Sequence, residues 1–179
     1  AGTVITLICA SFTVPLSAKL GRKELGIAAA LFGAAVLFVT NFLKLQNAYV
    51  FVVFYTFAYV GIAIFSLITW AMITDVIDDA QVHDGRRSDG TIYSVYSFAR
   101  KVGQAASSGV AGFLLSIIGY SQATAFEPAV VNGIYHITCL APAVGFVLLA
   151  LSLAFLYPLD RKKVQENARI LAEKEKKSK

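Results

Sequence analysis

Long runs of apolar residues, separated by short polar stretches, dominate the pattern along this chain. Five runs have about the 20 residues that a helix needs, at 1.5 Å rise per residue, to cross the hydrocarbon core of a bilayer. They cover roughly residues 2–20, 25–43, 48–74, 91–118 and 133–157. The pattern predicts an all-α integral membrane protein with five transmembrane helices within residues 1–157 and a charged tail at 158–179.

The composition agrees with the membrane class. Hydrophobic residues make up 57% of the chain and charged residues only 15%, and the mean hydropathy is +0.66, unlike a soluble domain. Cys9 and Cys139 lie in separate apolar runs without a second ligand at metal-binding spacing, so no disulfide framework and no metal site are predicted. The apolar runs hold no Ser/His/acid set and no paired carboxylates, so no enzyme is expected.

The basic residues predict the orientation. Thirteen of the sixteen Lys and Arg residues fall at alternate ends of the spans, and short cytoplasmic loops carry the excess of such residues. We therefore expect the N-terminus outside and the C-terminus in the cytoplasm, and a nucleic-acid partner is not needed to explain the net charge of +5. Carriers are commonly built from halves of six spans, so we also expect a preceding span, and a preceding half, before residue 1.

The fourth run carries a lysine near its middle. Placing an ionisable side chain there costs about 2.5 to 3.5 kcal/mol on insertion scales, and such residues usually face a bundle interior or a watered cavity. Polar residues recur at spacings of three and four and form one stripe on the predicted helix, Ser94, Ser97, Lys101, Gln104 and Ser108. We predict that this stripe binds substrate or couples its transport. The alternative is that Arg100 and Lys101 reach the membrane interface along apolar neighbours.

Two further features point the same way. Tyr59 and Trp70 lie in the third run near hydroxyl residues, a combination that suits a sugar ring; the alternative is that they are interfacial or packing aromatics. Small residues follow Lys101 from Gly103 to Gly112 and would let a neighbouring helix approach closely.

The segment from Asp75 to Gly90 is rich in charge and is predicted to be a cytoplasmic loop. Its acids and arginines could form a network that is made in one carrier state and broken in another; the candidate members are Asp75, Asp78, Arg87 and Asp89. The alternative is a solvated loop whose charges only set the topology.

The loop and the fourth run together resemble a known family. The matching features are the D-x-x-D step from Asp75, the G-x-R step from Gly85, the Asp89-Gly90 pair, the run YSFARKVGQA at 96–105 and the Ile-Gly-Tyr at 118–120. They resemble the glycoside-pentoside-hexuronide:cation symporters of the major facilitator superfamily. The resemblance implies that the five spans correspond to helices eight to twelve, that Lys101 lies near the sugar and cation site, and that the acidic cation ligands belong to a missing N-terminal half.

These observations predict the C-terminal half of a secondary active sugar transporter in a bacterial inner membrane. It would carry a glycoside, pentoside or hexuronide by alternating access, in symport with Na⁺ or H⁺, and would need no cofactor beyond that cation. Its expected partners are the sugar, the cation, the bilayer and the missing N-terminal half. The alternative is a non-transporting membrane scaffold or sensor, or a degenerate carrier fragment.

Overall fold

A computed structural model describes residues 2–45 and 47–178 of the chain. The helices within these residues are α1 (Gly2–Leu20), α2 (Arg22–Leu43), α3 (Ala48–Asp84), α4 (Asp89–Ile117), α5 (Pro128–Leu156) and α6 (Arg161–Ser178). No strand occurs among the described residues, and the predicted all-α class is confirmed. Ala1, Gln46 and Lys179, which belong to the predicted membrane region, a connection and the tail, lie outside the described residues.

Glycines set several of the helix ends. Gly21, with φ of 102°, is the single residue between α1 and α2. Gly85, with φ of 71°, ends α3 and donates its backbone N–H to the Gln81 carbonyl at 3.1 Å. Such left-handed backbone conformations carry no steric penalty in glycine.

The prediction that a loop begins at Asp75 is wrong for residues 75–84, which are helical. That stretch contains neither glycine nor proline, so nothing in it stops the helix before Gly85. With 37 residues, α3 is about 55 Å long, well beyond the roughly 30 Å hydrocarbon core. The charged residues therefore lie on a helical extension, and the loop is confined to residues 85–88.

Helix α2 lies at the centre of the packing and contacts both α3 and α5. Its buried side is made of small residues together with Leu25, Leu37 and Thr40; the small ones are Gly26, Ala29, Ala30, Gly33 and Ala34. On α3, a methyl group at Gly61 would come within 2.5 Å of the Ala29 carbonyl oxygen. On α5, the Phe146 ring lies over Gly33, where a methyl group would meet Cε2 at 2.9 Å. Small residues on α2 thus allow both neighbours to approach its backbone.

Helices α2, α3, α4 and α5 alternate in direction: the start of α2 meets the end of α3, the start of α4 meets the second half of α3, and the start of α5 meets the end of α2. The bundle therefore has two ends. We call the end that holds Arg22, Lys23, Arg87 and Arg161 the basic end. At the opposite end, the Tyr135 hydroxyl of α5 donates to the Thr40 carbonyl and accepts the Leu45 backbone N–H at 3.1 Å. These bonds satisfy main-chain groups at the C-terminal end of α2.

Helix α4 stands apart from this packing. None of its side chains is buried within the described part of the chain. Its N-terminal turns contact α3, and Ile118, just past its end, packs on Gly133 of α5, where a methyl group would lie 3.0 Å from Cγ2. By length and composition, α1, α2, α3 and α5 are apolar enough to cross a membrane. The polar stripe lowers the hydropathy of α4, and its place as the fourth span stays a prediction.

Candidate functional site

The polar stripe of α4 is solvent-accessible in this structure. Ser94, Ser97, Lys101, Gln104 and Ser108 are all exposed. Two of the serines bond to their own helix: Ser94 Oγ donates to the Gly90 carbonyl at 2.7 Å, and Ser108 Oγ to the Gln104 carbonyl at 3.0 Å. Such bonds leave a hydroxyl oxygen free to accept from a ligand. Across residues 2–45 and 47–178, the Lys101 ammonium forms no ion pair.

An aromatic cluster joins α3 to the first turns of α4. The Trp70 ring centroid lies 6.1 Å from that of Tyr93 and 5.8 Å from that of Tyr96. Trp70 is thus brought beside the stripe, since Tyr93 and Tyr96 precede Ser94 and Ser97 by one residue each. Tyr93 and Tyr96 were not among the predicted site residues; their three-residue spacing on one helix face is the sequence signal that could have indicated them.

Tyr59 lies elsewhere. It precedes Trp70 by eleven residues, about 16 Å along the helix, and lines an apolar groove between α3 and α5. The structure therefore brings Trp70, but not Tyr59, next to the stripe of α4. Both rings remain partly exposed, 53% for Trp70 and 39% for Tyr59.

At the basic end, Asp75 pairs with an arginine from a distant part of the chain. The Arg22 guanidinium at the start of α2 forms an ion pair with Asp75 Oδ1 and also donates to the Ala71 carbonyl at 3.0 Å. Asp75 is only 5% exposed, and its Oδ2 is buried without a hydrogen-bond partner among the described atoms. The expectation that Asp75 joins the loop network is therefore corrected. Asp75 lies inside α3, and its carboxylate pairs with Arg22 of α2 instead.

The other three predicted charges do come together. Arg87 bonds Asp89 through Nε at 2.9 Å, and Asp78 and Gln81 through Nη1 at 3.1 Å each. The hydrogen bond with Asp89 raises the pKa of Arg87 above its already high value, so the guanidinium stays charged. This cluster joins the end of α3 to the start of α4 across the short loop. Because the paired side chains are 30 to 46% exposed, solvent screens each pair and the stabilisation it provides is small.

The tail and α5 complete the basic end. Lys23 Nζ donates to the Tyr157 carbonyl at 2.7 Å, and Asn167 of α6 donates to Asp79 Oδ1 at 2.7 Å. The Tyr157 hydroxyl donates to the Met72 carbonyl at 3.4 Å. Helices α2, α3, α5 and α6 are thereby connected at this end, which the sequence pattern had not indicated.

With the fold and the candidate site described, the chain can be compared with known proteins. The model of the family described as MFS/sugar transport protein matches residues 1–161. The chain belongs to this family. The predicted resemblance is confirmed at that level, and the symporter relatives are consistent with the glycoside-pentoside-hexuronide:cation branch. The numbering of the helices as eight to twelve stays a prediction.

Several named proteins are similar to this chain. It is 35% identical over 138 residues to the uncharacterized symporter YjmB of Bacillus subtilis (strain 168), covering 77% of this chain and 29% of the relative. It is 30% identical over 161 residues to the glucuronide carrier protein homolog of Escherichia coli (strain K12), covering 90% and 35%. It is 30% identical over 151 residues to the putative sulfoquinovose importer of the same strain, covering 84% and 32%.

The chain thus spans about a third of the length of these curated relatives. Their names are those of carriers, which supports the expectation that this membrane chain is a carrier and not an enzyme, and does not favour the scaffold alternative.

Proposed function

We propose that this chain is the C-terminal half of a secondary transporter that carries a glycoside, pentoside or hexuronide in symport with Na⁺ or H⁺. The observation that carries the proposal is Lys101, a cation near the middle of α4, on a polar stripe that no other described helix covers. Placing a charge at this depth in a membrane costs free energy, and charged residues in such positions usually bind a ligand or take part in a proton relay. The family match adds support, since it covers the whole stripe.

Hexuronides are the first substrates to test. A carboxylate on the sugar would pair with the Lys101 ammonium, and charge-assisted hydrogen bonds of this kind are about twice as strong as neutral ones. Gln104 and the serines could bond the sugar hydroxyls, while Trp70 beside Tyr93 and Tyr96 offers aromatic faces for its C–H patches. Two relatives are named for anionic sugars, a glucuronide and sulfoquinovose.

Alternating access would use the basic end. By this proposal that end faces the cytoplasm of a bacterium, the Arg87 cluster opens and closes with the carrier state, and the preceding half supplies the acidic cation ligands. The pairs around Arg87 suit a switch, because each is individually weak and therefore easily exchanged.

The test is uptake into cells that express the full-length carrier. Labelled glucuronides and matched neutral glycosides would be offered under imposed Na⁺ or H⁺ gradients, with Lys101→Ala, Lys101→Arg and wild type compared at equal membrane abundance. Losing a charge-assisted bond should lower uptake about tenfold or more in the alanine variant, with partial recovery in the arginine variant. Lys44→Ala, an exposed lysine at the end of α2 opposite the basic end, serves as the matched control.

Two outcomes would count against the proposal. Undiminished uptake by Lys101→Ala would mean that Lys101 only reaches toward the interface. Failure of the wild type to take up any sugar, although it reaches the membrane, would return weight to a scaffold.

A further inference from the structure

Arg100 is a second cation near the middle of α4, directly before Lys101. Its side chain is exposed, and none of the ion pairs within the part of the chain that the structure describes includes it. The acid of α4 is Asp89, eleven residues earlier, which is about 16 Å along the helix. Helix α3 has no acid before Asp75, and that carboxylate pairs with Arg22. Among the described residues, the guanidinium therefore has no carboxylate partner.

The helical period places Arg100 on the aromatic side of α4. It follows Tyr93 by seven residues and Tyr96 by four, so the three side chains share one face of the helix. The two tyrosines of that face pack on Trp70 of α3, with ring centroids 6.1 and 5.8 Å from the Trp70 centroid. Lys101 is turned by about 100° from Arg100, toward the serines of the stripe. The two cations thus border different sides of α4.

Helix geometry also determines where the Arg100 guanidinium can reach. Side chains in an α-helix lean toward its N-terminus, which in α4 is the end that holds the aromatic rings. An extended Arg100 side chain can therefore reach toward Tyr96 and Trp70, about one turn away. These rings are accessible, since Trp70 is 53% exposed and Tyr96 is half-buried. One ligand could then contact the rings and the guanidinium together.

This combination fits a sugar that carries a carboxylate. Aromatic faces suit the C–H patches of a sugar ring. A guanidinium can form two parallel hydrogen bonds with a carboxylate, whereas the ammonium of a lysine acts as a point charge. Gln104 lies four residues after Arg100 on the same face, and its amide can bond the hydroxyls of the sugar.

We infer that Arg100 binds the carboxylate of a hexuronide through two parallel hydrogen bonds and thereby makes the carrier prefer anionic sugars to neutral ones, with Lys101 as the second cation at that group. This inference rests on the proposed function, because it requires a sugar to bind at α4. It adds the residue that distinguishes one class of sugar from another.

Two sugars that differ at one carbon provide the test. Methyl glucuronide has a carboxylate at C6, where methyl glucoside has a hydroxymethyl group. Uptake of both would be measured in cells that express the full-length carrier as wild type, Arg100→Gln or Arg100→Lys. Arg86→Gln is the matched control, since it removes the same charge from an exposed arginine in the loop before α4. The ratio of the two KM values is compared between variants, because it does not depend on how much carrier reaches the membrane.

Loss of the paired bonds should raise the KM for the glucuronide about tenfold or more in Arg100→Gln. The KM for the glucoside should stay near its wild-type value, because this sugar has no charge to lose. Arg100→Lys should recover part of the difference, since lysine keeps the charge without the planar fork. Arg86→Gln should match wild type.

The opposing results can be told apart. An unchanged KM ratio in Arg100→Gln would overturn the inference and mean that the guanidinium only reaches the membrane interface. An equal loss of both sugars would also overturn it, in favour of a pair between Arg100 and an acid of the preceding half. A wild type with the same KM for both sugars would leave sugar transport standing and remove the selectivity. A wild type that takes up neither sugar would refute the proposed function and this inference with it.

Discussion

Helices α2 and α4 carry similar runs of small residues and have opposite surroundings. The run GIAAALFGAA at 26–35 lies against α3 and α5, and most of its small residues are buried. The run GQAASSGVAG at 103–112 is exposed throughout. Small residues allow another helix to pack closely, but they do so only where a neighbouring helix is present. A small-residue run therefore predicts an interface without identifying its partner.

The two helices also differ in where they hold charge. Arg22, Lys23 and Glu24 of α2 lie in its first turn, where they reach the basic end, whereas Arg100 and Lys101 of α4 lie near its middle. An apolar middle suits a helix that is packed on several sides, and a polar stripe suits one that borders a ligand path. We therefore regard α2 as the packing centre and α4 as the proposed functional surface, and the following changes test this division.

The largest expected effect comes from the buried ion pair of α2. Arg22→Ala leaves Asp75 uncompensated in a buried site, which should cost about 3 kcal/mol, the low end for such pairs because Arg22 is partly exposed. Arg87→Ala, the matched change in the loop before α4, should cost much less because its pairs are partly exposed to solvent. Thermal unfolding of the purified full-length carrier would measure both. Equal losses would contradict the difference drawn between the two arginines.

A backbone contact of α2 gives the next largest effect. Gly61→Ala places a methyl group 2.5 Å from the Ala29 carbonyl, and overpacking of this kind costs about 1 to 3 kcal/mol. Gly90→Ala, in the first turn of α4 with open space around it, should be neutral or slightly stabilising. The same unfolding measurement applies. A stable Gly61→Ala protein would show that α2 and α3 can separate without penalty, and α2 would lose its standing as the packing centre.

The smallest expected effect concerns the attachment of α4. Tyr96→Leu removes the edge contact with Trp70, worth about 0.5 to 1.5 kcal/mol. Amide hydrogen exchange should become faster in the first turns of α4 while α2 is unaffected, because the ring contacts among the described residues join α3 to α4. Phe98→Leu, on the same helix and 71% exposed, is the control. Faster exchange in α2 as well would mean that the two regions unfold together.

Local signals explain which features could be predicted from sequence. The apolar runs and the polar stripe depend on residues close together in the chain, and the structure has a helix over every predicted run. The loop boundary at Asp75 was wrong because charge was taken as the end of a helix, although a helix tolerates charge and stops at Gly85. The pairing of Arg22 with Asp75 was not predicted, since the two residues are 53 positions apart and either could have found another partner.

The sequence by itself determined that this is an all-helical membrane chain, approximately where helices α1 to α5 lie, and that α4 carries a lysine on a polar stripe. Hydrophobic length and helical periodicity suffice for these conclusions, because both depend only on nearby residues. Only the tertiary structure decided that the small residues of α2 are buried and those of α4 are not, that Trp70 meets Tyr93 and Tyr96, and that Asp75 belongs to Arg22. These are choices among distant surfaces of similar composition, and only the packing of the helices distinguishes between them.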